Sequence, residues 1–223
     1  MLLLALDTAT PAVTVAVHDG TRVLAEASVI GARRHGELLA PMIRDVLARV
    51  GASVPEVTEV AVGVGPGPFT SLRVGVVTAR AFALPGRLPV LGVCSLDALA
   101  HEVVADGRWA ADLAAGFVVA TDAKRREVYW ATYGPSGRRL SGPLVDRPSV
   151  VAALQAGRRV VGEGARVYPE LLGEPLGPAY PGAGALAEVA LAALRAGEDA
   201  PAVPLYLRRP DAAEPTSSKQ VLR

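Results

Sequence analysis

The 223-residue chain has a single cysteine, Cys94, and only two lysines, Lys124 and Lys219, among its 23 basic residues. One thiol excludes an internal disulfide framework and fits a reducing, cytoplasmic setting. It lies in the apolar run Val90-Leu91-Gly92-Val93-Cys94, where a buried structural thiol is expected. Histidine is equally scarce: His18, His35 and His101 stand far apart, with no histidine pair or Cys/His cluster from which to read a metal site. A dominant charge sign is missing too. At +1 the chain sets up no strong field toward nucleic acid or a membrane surface. Doublets such as Arg33-Arg34, Arg125-Arg126 and Arg138-Arg139 read as solvated surface. No run of about 18 apolar residues is present to span a bilayer. The opening MLLLALDTAT lacks a basic leader and is broken by Asp7, so it reads as a buried strand and not as a secretory signal.

What the chain does have is apolar content, 51% of its residues, ample for a packed core. It is organised around Val60 to Arg80, VAVGVGPGPFTSLRVGVVTAR. Val60 to Val64 lacks polar alternation and suits a strand covered on both faces. Gly65-Pro66-Gly67-Pro68 stops it, and a helix follows from Thr70 to Leu84, with Thr70 and Ser71 as candidate caps. A phosphate-cradling loop is the alternative reading of this turn. Two prolines without an N–H and the absence of the GxxxxGK[ST] spacing favour a rigid turn that aims the helix. The helix has almost no polar face, so it needs a cover on each side. Gly75, Ala79 and Ala83, at spacing four, are expected to admit a neighbouring backbone.

In order along the chain, Leu2 to Leu6, the alternating Val13, Val15 and Val17, and Arg22 to Ile30 read as a three-stranded meander, with Asp19-Gly20 as a hairpin turn. A helix from His35 to Val50 carries a wide apolar stripe that includes Leu39, Met42, Ile43 and Val46. A strand from Leu88 to Val93 and a helix from Ser95 to Val104, capped by Ser95, complete a first unit. An offset of 115 residues then lays Asp7 on Asp122 and Val13, Val15 and Val17 on Val128, Trp130 and Thr132, the trace of a duplicated domain. In the second unit Phe117 to Asp122 and Arg159 to Val161 read as strands. Val150 to Gln155 and Gly184 to Ala196 read as helices, and Leu205 to Arg208 as a last extended segment. The boundaries drawn are 1–105 and 106–209, with 210–223 as a disordered polar tail.

Two meanders with following helices, each opening strand ending in Asp, resemble the α/β fold of the actin-like ATPase and sugar-kinase superfamily, two tandem ribonuclease-H-like domains. More closely, Leu4-Ala5-Leu6-Asp7-Thr8-Ala9-Thr10, Arg34-His35-Gly36-Glu37-Leu38-Leu39, the run from Gly63 to Arg73, Asp122 to Trp130 and Pro204 to Arg208 resemble the TsaB (YeaZ) family. This is the dimerisation subunit of the bacterial complex that makes threonylcarbamoyladenosine in tRNA. The resemblance implies a non-catalytic scaffold that binds a TsaD-type transferase, works beside a TsaE-type ATPase, forms a homodimer when alone and meets tRNA at most indirectly. It implies no cofactor. The catalytic relative holds its metal through a histidine pair; Ser95 and Leu99 occupy the matching positions here, and neither replaces an imidazole. The expected partner surface comprises His35, Leu39, Met42, Ile43 and Val46 from one helix and Arg73, Val76, Val77 and Arg80 from the next. A small-molecule kinase or ATPase of the same fold is the rival reading, in which Asp7 and Asp122 would position a metal and water. Against it, both aspartates can equally cap the turns that follow them.

Overall fold

The computed structural model describes residues 1–31, 34–155 and 157–208. The tail expected from residue 210 onward lies outside these residues. Leu3–Asp7 (β1), Ala12–His18 (β2) and Val23–Ile30 (β3) form the opening meander, followed by helix His35–Arg49 (α1), strand Glu59–Gly63 (β4), helix Phe69–Ala83 (α2), strand Val90–Val93 (β5) and helix Ser95–Ala105 (α3). The strands make one sheet in the order β3-β2-β1-β4-β5, in which β1, β4 and β5 run parallel. A short helix Ala110–Leu113 (α4) leads to strands Phe117–Asp122 (β6), Val128–Tyr133 (β7) and Arg139–Asp146 (β8), helix Pro148–Leu154 (α5) and strand Arg159–Val161 (β9). Their sheet order, β8-β7-β6-β9, repeats that of the first. Helices Glu163–Val167 (α6), Pro169–Leu172 (α7) and Ala183–Ala196 (α8) complete the described chain. Two such sheets in tandem are the ribonuclease-H-like units of the actin-like fold.

The residue 105 boundary divides the strands between the sheets but does not divide the helices. α8 returns to the first sheet, where Ala183, Leu186, Ala187 and Ala190 pack on Leu3, Ala5, Ala16 and Ala61. The alternation of β2 explains the fit: Val13, Val15 and Val17 face the α1/α2 side, while the small Ala16 faces α8 and lets it approach. α3 in turn serves the second sheet, through Leu96, Leu99 and Val103 against Phe117, Val119 and Tyr133.

Two expectations are corrected. β1 pairs Asp7 with Thr14, whereas β6 pairs Asp122 with Val128. With the aspartates superposed, Val128 therefore matches Thr14 and not Val13, because the second connection is one residue shorter. A one-residue slip turns every side chain to the opposite face: the β2 valines lie across the sheet from Asp7, whereas Val128 and Trp130 share a face with Asp122. Second, neither helix is capped as expected. α2 begins at Phe69 after Pro68, and the Ser71 hydroxyl donates to the Pro68 carbonyl at 3.0 Å. Cys94, not Ser95, precedes α3. Gly75, Ala79 and Ala83 do admit a neighbouring backbone, that of the sheet. A Cβ on Gly75 would lie 2.5 Å from the Thr8 hydroxyl, so the small residue sets the helix close to the end of β1.

Candidate functional site

Between the halves lies a cavity of ≈400 Å³ walled by Thr10, His35 and Ser71 on one side and by Asp122, Lys124 and Glu163 on the other. The two strand-end aspartates stand differently toward it: Asp122 lines the cavity and Asp7 does not. Asp7 is fully buried. Its Oδ1 accepts the Ala9 amide at 2.6 Å and its Oδ2 accepts the Ser95 hydroxyl at 2.5 Å. Burial pushes its carboxyl up to about 6, against the pull of those hydrogen bonds. The Gly65-Pro66-Gly67-Pro68 turn seals this site. A Cβ at Gly63 would come 1.8 Å from Asp7 Oδ2, and one at Gly67 would come 2.2 Å from the Ala9 carbonyl oxygen. The loop after β1 is further held by the His35 ring, whose Nε2 lies 2.8 Å from the Thr10 carbonyl, and by the Thr8 hydroxyl, which donates to the Ser71 carbonyl at 2.7 Å.

Asp122 ends β6 on the wall of the cavity, its side chain 8% exposed. It accepts the Lys124 amide at 2.9 Å and pairs with the Lys124 ammonium at 2.6 Å. Lys124, Arg125 and Arg126 all have left-handed backbone angles, φ of 60°, 55° and 61°. For residues with a Cβ that conformation costs roughly 1–2 kcal/mol each. The turn is held closed by Ala123 N–H to the Glu127 carbonyl at 2.9 Å and Glu127 N–H to the Lys124 carbonyl at 3.0 Å. Glu163, on the same wall, accepts the Tyr180 hydroxyl at 2.9 Å, and burial raises its carboxyl. Among the described residues no group of three or more His, Cys, Asp or Glu side chains could hold a metal ion. Ser95 is the donor to Asp7, and Leu99 belongs to the core under the second sheet. Burial pushes the Cys94 thiol up to about 12, which leaves it unreactive at neutral pH.

The expected partner surface divides into two sets. Leu39, Val46 and Val76 are buried in the chain's own core, with Met42 and Ile43 beneath the helix surface. They belong first to the chain's own core, because the apolar stripe of α1 points at β2. His35 is also buried, on the Thr10 carbonyl. Val77, 62% exposed, does face out, as do Arg73 and Arg80. Those arginines already hold the chain segment after α8: Arg80 donates to the Ala202 carbonyl at 2.8 Å and Arg73 to the Tyr206 hydroxyl at 3.2 Å. The segment from Leu205 to Arg208 is bound without forming a strand, through Leu205 N–H to the Val64 carbonyl at 2.8 Å. What sequence reasoning missed is a groove of ≈560 Å³ between α1 and α2, with Ile43 and Leu47 in its floor and Ala40, Arg44, Ala81 and Phe82 along it. Val77, Ala81 and Leu84, at spacings of four and three, carried the signal: they are the helical face opposite the residues that touch the sheet.

The family model for tRNA N6-adenosine threonylcarbamoyltransferase (TsaD) matches residues 29–190. An uncharacterized protein of Mycobacterium tuberculosis is 42% identical over 214 residues, covering 94% of this chain and 92% of that protein. The Escherichia coli tRNA threonylcarbamoyladenosine biosynthesis protein TsaB is 38% identical over 133 residues, 60% of this chain and 55% of that protein. The solved structure of YeaZ from Pseudomonas aeruginosa superposes with a TM-score of 0.76 at 31% identity, covering 92% of this chain and 99% of the other.

Proposed function

This chain belongs to the TsaB (YeaZ) family, and on that premise we propose that it is a non-catalytic, cytoplasmic subunit of the machinery that forms threonylcarbamoyladenosine in tRNA. Its task is to dock a TsaD-type transferase subunit, alongside a TsaE-type ATPase, and to pair with a second copy of itself when that partner is absent. The observation that carries this reading is the apolar groove between α1 and α2, flanked by Val77 at 62% and Leu84 at 76% exposure. A partner built on the same fold offers a similar helix pair, so homodimer and heterodimer would use one face and compete. The non-catalytic half of the reading is supported by the state of the aspartates. Asp7 has both oxygens engaged beneath the glycine turn, and Asp122 is tied to Lys124. Neither is arranged as a carboxylate awaiting a metal, as the rival kinase reading requires. Among the described residues no helix is long and apolar enough to cross a membrane.

The test is sedimentation of the wild type and of Val77→Glu, alone and mixed with the transferase subunit. An unpaired charge buried at the centre of an interface costs about 3–5 kcal/mol, so the variant should run as a monomer and fail to capture the partner. Because Val77 is exposed in the single chain, the variant should keep the wild-type melting temperature. A Val77→Glu protein that dimerises and binds its partner normally would rule this face out.

A further inference from the structure

We infer that the surface formed by Phe69, Arg73, Tyr206 and the Lys124-Arg125-Arg126 turn is a binding site for unpaired RNA, with one base seated on the aromatic rings and the adjoining phosphates held by the cations. The chain has few aromatic residues, three Phe, two Trp and five Tyr, yet Phe69, Tyr129 and Tyr206 converge on a single cavity of ≈270 Å³ that Lys124, Arg125 and Arg208 also line. Phe69 and Tyr206 lie 4.9 Å apart between ring centroids, tilted by 36°. Arg73 holds its guanidinium 3.7 Å from the Phe69 centroid while donating to the Tyr206 hydroxyl. Tyr206 is 41% exposed, so part of its ring is open to solvent.

The cationic side of the site is pre-organised. Arg208 donates to the Ala123 carbonyl at 2.8 Å and pairs with Glu127, which anchors the turn to the segment carrying Tyr206. The left-handed turn leaves Lys124, Arg125 and Arg126 exposed, with the Lys124 ammonium paired to Asp122. Arg73 and Tyr206 pack against Phe69, so the surface left for a base is the exposed side of Tyr206; cations beside such a surface are what a single strand recognises, because every base has a face to stack and the groove tracks the backbone. The cavity is smaller than the ≈300–1,000 Å³ typical of sites that enclose a whole small molecule, and it suits one splayed nucleotide of a longer strand. An acidic protein segment would use the cations and leave the rings without a function. This places RNA in direct contact with the chain, where the family resemblance implies an indirect role. The inference rests on the proposed function only for choosing RNA over DNA.

The experiment is fluorescence anisotropy of the isolated full chain with a labelled, unpaired RNA of about 12 nucleotides, long enough to cover one such groove. With Lys124 already paired to Asp122, about two neutralised phosphates predict roughly sevenfold weaker binding between 50 and 200 mM salt. Tyr206→Ala should weaken binding about tenfold by removing a stacking platform, and Arg126→Ser should lower both affinity and salt slope. Tyr206→Phe should bind like the wild type. Arg195→Ala, whose guanidinium reaches Gly20 on α8's side of the first sheet, should change nothing. Photo-crosslinking of thiouridine-containing RNA to the wild-type chain, read by mass spectrometry, keeps the test independent of whether a variant folds; crosslinks should fall on peptides containing Phe69 or Tyr206. The inference is overturned if the wild type does not bind at the lower salt. Loss with Arg195→Ala equal to that with Tyr206→Ala, equal displacement of the RNA by a duplex or by polyglutamate, or crosslinks elsewhere would also overturn it. Partner capture, measured by sedimentation, should survive Tyr206→Phe and Arg126→Ser, so a failure here is distinguishable from a failure of the docking face.

Discussion

The ends of β1 and β6 occupy the same position in two copies of one topology, and the chain uses them in opposite ways. At the first, Asp7 is buried, receives hydrogen bonds from Ala9 and Ser95, and lies under a glycine-proline turn packed so tightly that no Cβ fits at Gly63. At the second, Asp122 meets an exposed lysine, and its loop runs out through three left-handed residues to the surface. Where the first copy closes its loop to set α2 on the sheet, the second keeps its loop open and charged. The lesson is that a repeat conserves the path of the backbone, while the residue at equivalent strand ends is free to be sealed under a turn in one copy and to carry an open, charged loop in the other.

The most severe way to break the comparison is Gly63→Ala. The added methyl would fall within bonding distance of Asp7 Oδ2 and 3.0 Å from the Ser95 hydroxyl. The carboxylate must then leave both partners or β4 must shift, and forced overpacking of this kind costs typically 1–3 kcal/mol. Loss of the hydrogen bonds to a buried carboxylate adds about 2 kcal/mol. A fall of about 3 kcal/mol or more in unfolding free energy is expected in urea titration. A midpoint unchanged from the wild type would show that the first site is looser than its geometry.

Next in size is the pH dependence carried by Asp7. Its carboxyl is raised from the ordinary 3.8 to about 6 by burial, so the native state binds a proton more tightly than the unfolded chain does. That contribution is fully present below about pH 4 and is lost as pH rises through 6, by about 3 kcal/mol. In Asp7→Asn the amide oxygen still accepts the Ala9 N–H and the amide nitrogen can donate to Ser95 Oγ, with no charge to desolvate. The variant should therefore lose the stability decline that the wild type shows between pH 4 and 7, as followed by denaturant midpoints across that range. An identical decline in both proteins would assign it to other carboxyls, Glu102 and Asp97 among them, which burial also raises.

The sheet architecture was legible because it is written in uninterrupted apolar runs closed by Gly, Pro or Asp: β6 and β9 begin and end where the sequence places them. β8 escaped notice because RLSGPLVD is a half-exposed edge strand without period-two alternation, joined to β7 through irregular register. The slip between the repeats was invisible for a different reason. A one-residue change in loop length leaves strand-forming residues on alternate positions in both copies, Val13, Val15 and Val17 in one and Val128, Trp130 and Thr132 in the other, and reveals itself only in cross-strand pairing. For the candidate site, the pattern named helices α1 and α2 but did not separate their buried residues from their exposed ones. An α2 nearly free of polar residues gives no wheel from which to tell Val76 from Val77, and small residues suited to a helix neighbour suit a sheet equally well. The role of Ser95 depended on β1 and α3 meeting across 88 positions of sequence, which no local signal carries.

The smallest expected effect sharpens the comparison most. Lys124→Ala removes the ammonium that pairs with Asp122; the lysine side chain is 64% exposed and the aspartate side chain 8%, and the carboxylate keeps the backbone amide of residue 124. With its cation in solvent the pair contributes about 1 kcal/mol, at the upper end of the range for surface pairs, and weakens with salt. Alanine also inherits the left-handed backbone of lysine, so that strain stays the same in the variant. Lys124→Gly removes the pair and relieves the strain, at the cost of a more flexible unfolded chain, two terms of roughly 1 kcal/mol that oppose each other. Both variants should therefore lie within about 1 kcal/mol of the wild type, and the small loss in Lys124→Ala should shrink further in molar salt, as measured by parallel urea titrations. If Lys124→Ala instead costs as much as Gly63→Ala, the second strand end is as much a part of the core as the first, and the contrast between the two copies fails.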